Sequence, residues 1–143
     1  MTKPHFQGLR SPKQKLAGWV HVGRFVDKIR LSAKGQLPAD YQENFGKGFD
    51  GMWLAASGVD KDEFIAAVRA AKDDAAVEQW LIANVNSHKT PQEIEAFNQK
   101  VLNHGRQPEL QERLNARKAQ SGLTHRHDIQ TFVDYIDADE GRA

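Results

Sequence analysis

The sequence predicts an all-α fold, a compact single-domain bundle of about seven helices with mixed crossing angles. Three observations carry that expectation. Apolar residues recur at i, i+3, i+4 and i+7 through most of the chain, helix start signals precede several of these runs, and no stretch keeps the alternation of a half-buried strand. At 143 residues, the chain suits one domain spanning 1–143 with a core of its own.

Residues 1–11 read as an extended N-terminal arm containing Pro4 and Gly8. Ser11 as N-cap with Pro12 at the first helical position is a start signal, so helix one runs from there or breaks at Gly18 and resumes. On a helical wheel Gly18, Trp19, Val22, Phe25, Val26, Ile29 and Ala33 fall within an arc of about 120°, the width of a core-facing stripe. Gly35 stops the helix. A long connection over 35–48 follows, with a turn of helix after Pro38 and the anchors Leu37, Tyr41 and Phe45 to pack it on helix one.

Asp50 is placed to cap a short helix over 51–57 that Gly58 closes. Asp60 and Glu63 form a capping box for a helix over 61–71 with Phe64, Ile65 and Val68 inside. Asp73 or Asp74 caps the next, whose inner side is Val77, Trp80, Leu81 and Val85. Thr90-Pro91-Gln92-Glu93 combines an N-cap, an N1 proline and an N3 glutamate, and Ile94, Phe97, Val101 and Leu102 form the buried side before Gly105. The segment 106–127 is a polar helix and loop. Its helix, 109–120, has only Leu110 and Leu114 as large apolar groups, so it rides on the surface or reaches to a partner. Asp128 then caps a last amphipathic helix with Ile129, Phe132, Val133 and Ile136 on one side.

The polar side of helix one is unusual. Val20 and Leu31 share nearly one azimuth, roughly 16 Å apart along the axis, with Arg24, Asp27 and Lys28 between them. Either another helix, a second subunit or a ligand covers this band, or the two apolar groups are isolated on a solvated face where Asp27 pairs with Arg24 and Arg30 at i±3. His21, Arg24 and Lys28 occupy about 60° of helix surface, so their heads converge on one phosphate or carboxylate. Arg30 points elsewhere, toward Asp27 or a C-terminal carboxylate. Tyr41 is read first as a packed aromatic with a hydrogen-bonded hydroxyl.

Net charge is only +1, yet residues 1–34 hold eight Lys/Arg against Asp27 alone, while the remainder holds twelve basic and eighteen acidic groups. A basic first helix docking on an acidic body is the favoured explanation, with an anion-binding end as the other. Nucleic acid is disfavoured, because no aromatic-rich RNA motif, zinc-finger spacing or recognition-helix unit occurs. Cysteine is absent, which excludes disulfides and thiolate metal sites. With no apolar run near the ~18 residues of a membrane span and no secretory layout at the N-terminus, a cytoplasmic protein without a membrane contact is expected. His125, His127 and Asp128 are the weak metal candidates, since His-x-His in an extended loop turns both imidazoles one way; no metal and no cofactor is the expectation. No nucleophile elbow or phosphate loop occurs.

Several strings resemble the bacterial domain of unknown function 5069 family. They are Leu9-Arg10-Ser11-Pro12, Arg24-Phe25-Val26-Asp27-Lys28-Ile29-Arg30, Gly35 to Tyr41, Gly48-Phe49-Asp50-Gly51, Thr90-Pro91-Gln92-Glu93-Ile94 with Phe97-Asn98, and Asp139-Glu140-Gly141-Arg142. The resemblance covers nearly the whole chain apart from roughly 104–127, and Arg-x-x-Asp-Lys-x-Arg is its most specific part. It implies a small single-domain bacterial protein and carries no activity or catalytic residue with it. The residues themselves favour a binding module over an enzyme, with the Arg24-Asp27-Lys28 face recognising a protein partner or a second copy of the chain. The alternative is a small-anion binder or enzyme using His21, Arg24, Asp27, Lys28, Arg30 and Tyr41.

Overall fold

Around Trp19, Phe25, Trp53 and Phe64, which are almost completely buried, the chain wraps a core of aromatic edges. Trp53 meets Phe64 at 4.7 Å between ring centroids, Phe25 meets Phe64 at 5.2 Å, and Trp19 meets Trp53 edge-on at 6.1 Å. Rings this size each contribute about 1.5–3 kcal/mol when fully removed from water.

The computed structural model describes residues 8–142, and its elements in chain order are as follows. A two-stranded hairpin, β1 (Lys15–Leu16) and β2 (Trp19–Val20), precedes α1 (Val22–Ala33). Then come α2 (Ala39–Gln42), α3 (Phe49–Ser57), α4 (Lys61–Ala70) and α5 (Asp74–Asn84). A 3-10 turn (Asn86–His88) leads to α6 (Pro91–Leu102), α7 (Pro108–Gln120) and α8 (Phe132–Asp139). The fold is all-α apart from the hairpin. Helix α1 packs on α3 and α4, and α6 bridges the hairpin, α3 and α8.

The hairpin corrects the expectation of a first helix starting at Ser11. Leu16 pairs with Trp19 and Lys15 with Val20, joined by Ala17 and Gly18 at φ 52° and 87°. Positive φ at both central residues is the type I′ geometry that matches the twist of a tight hairpin. Two asparagines dock it: Asn98 accepts from the Val20 amide and donates to the Gly18 carbonyl, while Asn86 accepts from Trp19 Nε1 and donates to the Ala17 carbonyl. Strands of two residues are too short to show an alternation. Helix α1 therefore begins only at Val22. Its Val22, Phe25, Val26 and Ile29 are buried as the stripe requires, and Ala33 is exposed.

Of the expected arm, residues 1–7 lie outside the described residues. Leu9 and Ser11 are buried, and Ser11 Oγ donates to Asp137 at 3.0 Å. The caps expected at Asp60, Asp73 and Thr90 form, the last as a complete capping box with Glu93. Besides the cap expected at Ser11, two expected caps do not form. Thr131, not Asp128, caps α8, accepting from the Asp134 amide, while Asp128 faces Arg126 in an exposed loop. Asp50 lies inside the first turn of α3 and is fully buried. The polar helix is α7, packed on α8, with Leu114 and Lys118 its buried residues and Lys118 Nζ donating to the carbonyl of Ile129, ahead of α8, at 3.4 Å.

Candidate functional site

Helix α1 carries its charged residues inward as well as its apolar ones. His21, Arg24 and Lys28 are 2%, 4% and 6% exposed, so the polar face of this helix is covered by the chain itself. Val20, expected to share an azimuth with Leu31, lies in β2 before the helix begins and is fully buried, while Leu31 on α1 is half-buried.

Two buried carboxylates partner the three side chains. Asp50 Oδ1 meets His21 Nε2 at 2.5 Å, and its Oδ2 accepts from Lys28 Nζ at 3.2 Å and from the Gly46 amide at 3.0 Å. Glu140 takes Arg24 in a bidentate pair, 2.8 and 2.6 Å, and also accepts from Tyr41 Oη at 3.0 Å and Arg142 Nη1 at 2.7 Å. The Arg24 guanidinium stands 5.7 Å from the Tyr41 ring centroid. His21 and Lys28 thus converge on one carboxylate, which belongs to α3, although His21 lies outside the helix in left-handed backbone and not on the helical wheel that grouped the two. Arg24 turns to another.

Asp27 and Arg30 form a separate cluster. Arg10 donates to Asp27 from its amide at 2.8 Å and from its guanidinium at 3.0 Å, and Arg10 and Arg30 both donate to Asp74. Among the described residues neither the Asp27 pairs with Arg24 and Arg30 nor an Arg30 contact to a C-terminal carboxylate forms: Arg10 crosses α1 and claims Asp27, and Arg30 takes Asp74. A Cβ at position 23 would stand 3.1 Å from the Arg10 guanidinium, so Gly23 leaves the room for that crossing.

Above the buried pairs lies a hollow of about 310 Å³ bounded by α1, α2, α3, α7 and α8. His21, Arg24, Lys28, Tyr41 and Glu140 form its floor. One wall is a ladder of rings: His21 to Phe49 at 5.5 Å, Phe49 to His104 at 5.7 Å, and His104 to Phe132 at 5.5 Å. Gly105, at φ 112°, lets the end of α6 approach Thr131 and Phe132 so closely that a Cβ there would lie 3.2 Å from backbone. The hollow is also lined by Lys47, Arg113 and Arg117, together with Asp40 and Asp139. Among the described residues Lys47, Arg113 and Arg117 are exposed and take part in no ion pair.

Electrostatics fix the protonation states. Burial drives the His21 pKa below its ordinary value and outweighs the pull of Asp50, with Lys28 and Arg24 adding to the lowering, so the ring is neutral at pH 7. Burial opposes ionisation of Asp50, but His21, Lys28 and the Gly46 N–H together hold its carboxyl below the usual range. Burial likewise opposes Glu140, and Arg24, Arg142 and Tyr41 overcome it. Tyr41 is pushed well above the ordinary phenol by burial and by Glu140 beside it, so its hydroxyl keeps its proton and donates.

The metal candidates are placed at the surface. His125 and His127 are exposed, Asp128 is held by Arg126 at 2.9 and 2.8 Å, and among the described residues no three His, Cys, Asp or Glu side chains are grouped to hold a metal ion.

Residues 6–142 match the family described as Domain of unknown function (DUF5069). The chain belongs to that family. No curated protein matches the chain. Of the residues lining the hollow of this DUF5069 chain, sequence reasoning singled out His21, Arg24, Lys28 and Tyr41 and missed Glu140, Lys47, Arg113 and Arg117, and it also missed Asp50, buried beneath them. Signals for several existed. Asp50 and Glu140 stand in strings that carry the resemblance, and Arg113 and Arg117 are spaced i, i+4 on a helix with little apolar reason to be there. No described helix is long and apolar enough to cross a membrane.

Proposed function

We propose that the protein binds a small organic anion in the hollow between α1, α3, α7 and α8. The observation that carries this reading is the convergence of Lys47, Arg113 and Arg117, none in an ion pair among the described residues, on one concave space. A volume of about 310 Å³ falls at the lower end of small-molecule sites. The deeper charges are already matched, Arg24 by Glu140 and Lys28 by Asp50, so they shape the floor and the three outer cations provide the attraction. Arginines at i and i+4 give planar donor forks suited to carboxylate or phosphate. The ring ladder offers an apolar wall, which favours an anion with an unsaturated or aromatic body over a bare inorganic ion. Burial of Arg24 and Lys28 speaks against the same face as a surface for a partner chain.

Calorimetry and thermal denaturation with inorganic phosphate, benzoate and phenyl phosphate test the reading. Benzoate or phenyl phosphate should bind more tightly than phosphate. At a hundredfold excess over Kd, binding should add on the order of 2.7 kcal/mol and raise Tm by several degrees. Replacing both exposed arginines, Arg113→Ala with Arg117→Ala, should leave the free protein's Tm near its starting value and remove the response. A double variant that responds like the natural chain, or a natural chain that binds none of the three, overturns the proposal.

A further inference from the structure

Two histidines line the hollow, and their surroundings differ. His21 is sealed and held on Asp50. His104 is only partly buried; among the described residues neither of its ring nitrogens has a hydrogen-bond partner, and neither is shut off from water. The rest of the residue is fixed. Phe49 packs on the ring at 5.7 Å and Phe132 at 5.5 Å. The His104 amide donates to the Val101 carbonyl at 3.2 Å, and its carbonyl accepts from the Phe132 amide at 3.0 Å, which ties the residue to both α6 and α8.

The charges around the ring are unbalanced. Lys100 acts on it from its own helix and Arg113 from α7, while α3 and α8 meet it with the uncharged rings of Phe49 and Phe132. The remaining lining holds Arg117 of α7, Lys47 ahead of α3, Asp40 of α2, and Asp139 and Glu140 at the end of α8. Arg24 and Lys28 of α1 are paired with Glu140 and Asp50. No carboxylate acts on His104 to offset its two cations. Burial first, then Lys100 and Arg113, hold the ring below its ordinary pKa, so it is neutral at pH 7 while the hollow is empty of anion. The end of α6 pulls the other way, because His104 directly follows the C-cap Asn103, where the negative end of a helix favours a protonated imidazole. An anion seated on Arg113 cancels one of the two repulsions and adds an attraction of its own.

We infer that His104 meets the bound anion as a fourth cation, taking a proton from the solvent as the ligand enters, so that the hollow fills with anion and proton together and holds aryl carboxylates and sulfonates more tightly as pH falls. This rests on the reading of the hollow as an anion site. Lys47, Arg113 and Arg117 attract the charge, and the new N–H of His104 donates a charge-assisted hydrogen bond to it.

The test uses benzenesulfonate and benzoate on the full chain, because both stay ionised above about pH 5.5 and any proton gained is then gained by the protein. Each probe that binds should do so about tenfold more tightly at about pH 5.5 than at about pH 7.5, the effect of one opposite charge on a nearby titrating group. Calorimetry near pH 6.5 in buffers of different ionisation enthalpy should show proton uptake on binding. NMR of the natural protein supplies a readout that does not depend on a variant folding: saturating probe should raise the titration midpoint of the His104 ring and leave those of the exposed His125 and His127 in place. His104→Gln keeps a polar side chain that takes no proton in this range, so its affinity should be the same at both pH values. Equal affinities at both pH values in the natural chain, binding without proton uptake, an unmoved His104 midpoint, or a pH dependence that survives His104→Gln overturns the inference while leaving anion binding intact. Failure of both probes to bind overturns the two readings together.

Discussion

Acidification acts on His21 before it reaches any carboxylate. The unfolded ring titrates near its ordinary value of 6.5, and burial sets the folded value lower. Between the two the unfolded chain binds more protons, so stability rises with pH across that window and is lost as pH falls through it. Thermal denaturation from about pH 7 down to about pH 5 should show a falling Tm, with a smaller slope in His21→Gln. His104 contributes with the same sign, since burial, Lys100 and Arg113 lower its pKa, and a His104→Gln control separates the two. Asp50 and Glu140 act below that range: held under their ordinary values, they stabilise fully above about pH 4.5 and lose that contribution as pH drops through their folded values. At this scale Arg24 and Lys28 were legible, because α1 carries both and its period puts them together, while His21, one residue before the helix in left-handed backbone, is brought to Lys28 by their shared carboxylate Asp50. Their carboxylates were not, since Asp50 lies 22 positions from Lys28 and Glu140 lies 116 from Arg24, and helical periodicity says nothing about partners that far along the chain.

Secondary structure elements with local causes were legible, and those with distant causes were not. Asp60, Asp73 and Thr90 cap their helices through bonds three residues away, so sequence spacing contains the whole interaction. The hairpin is held by Asn86 and Asn98, 69 and 78 positions from the backbone they secure, and no pattern of its own four strand residues reveals it. Its turn is also imperfect. Ala17 occupies a left-handed position at φ 52° where glycine or asparagine is the usual choice. Ala17→Gly removes a strain of about 1–2 kcal/mol and adds unfolded-state entropy worth about 0.4–1 kcal/mol, so a net stabilisation of about 0.5 kcal/mol is expected. Urea denaturation with an unchanged m-value and a higher midpoint would bear this out; a lower midpoint would mean that the Cβ of Ala17 packs better than it strains.

Across the whole molecule, the uneven distribution of charge along the sequence becomes a pattern of contacts. Lys13, Arg24, Lys28 and Arg30 from the basic end each reach a carboxylate of the acidic remainder: Asp134, Glu140, Asp50 and Asp74. The docking of a basic first helix on an acidic body was readable from composition, while the particular pairing needed the fold. Glu140 is the most demanding of these partners, because it closes Arg24 in an almost water-free place and is gripped in turn by Arg142, which also reaches the Leu9 carbonyl. Glu140→Gln leaves the guanidinium buried without its counter-charge and should cost about 3–5 kcal/mol of stability in urea denaturation. A loss near zero would mean that water enters and solvates Arg24. The same pair imposes an order on biosynthesis. A polypeptide leaves the ribosome from its amino end, so Arg24 emerges more than a hundred residues before the anion that neutralises it. Until that anion arrives, the polar side of the first helix must stay wet, and its sealing belongs among the last steps of maturation.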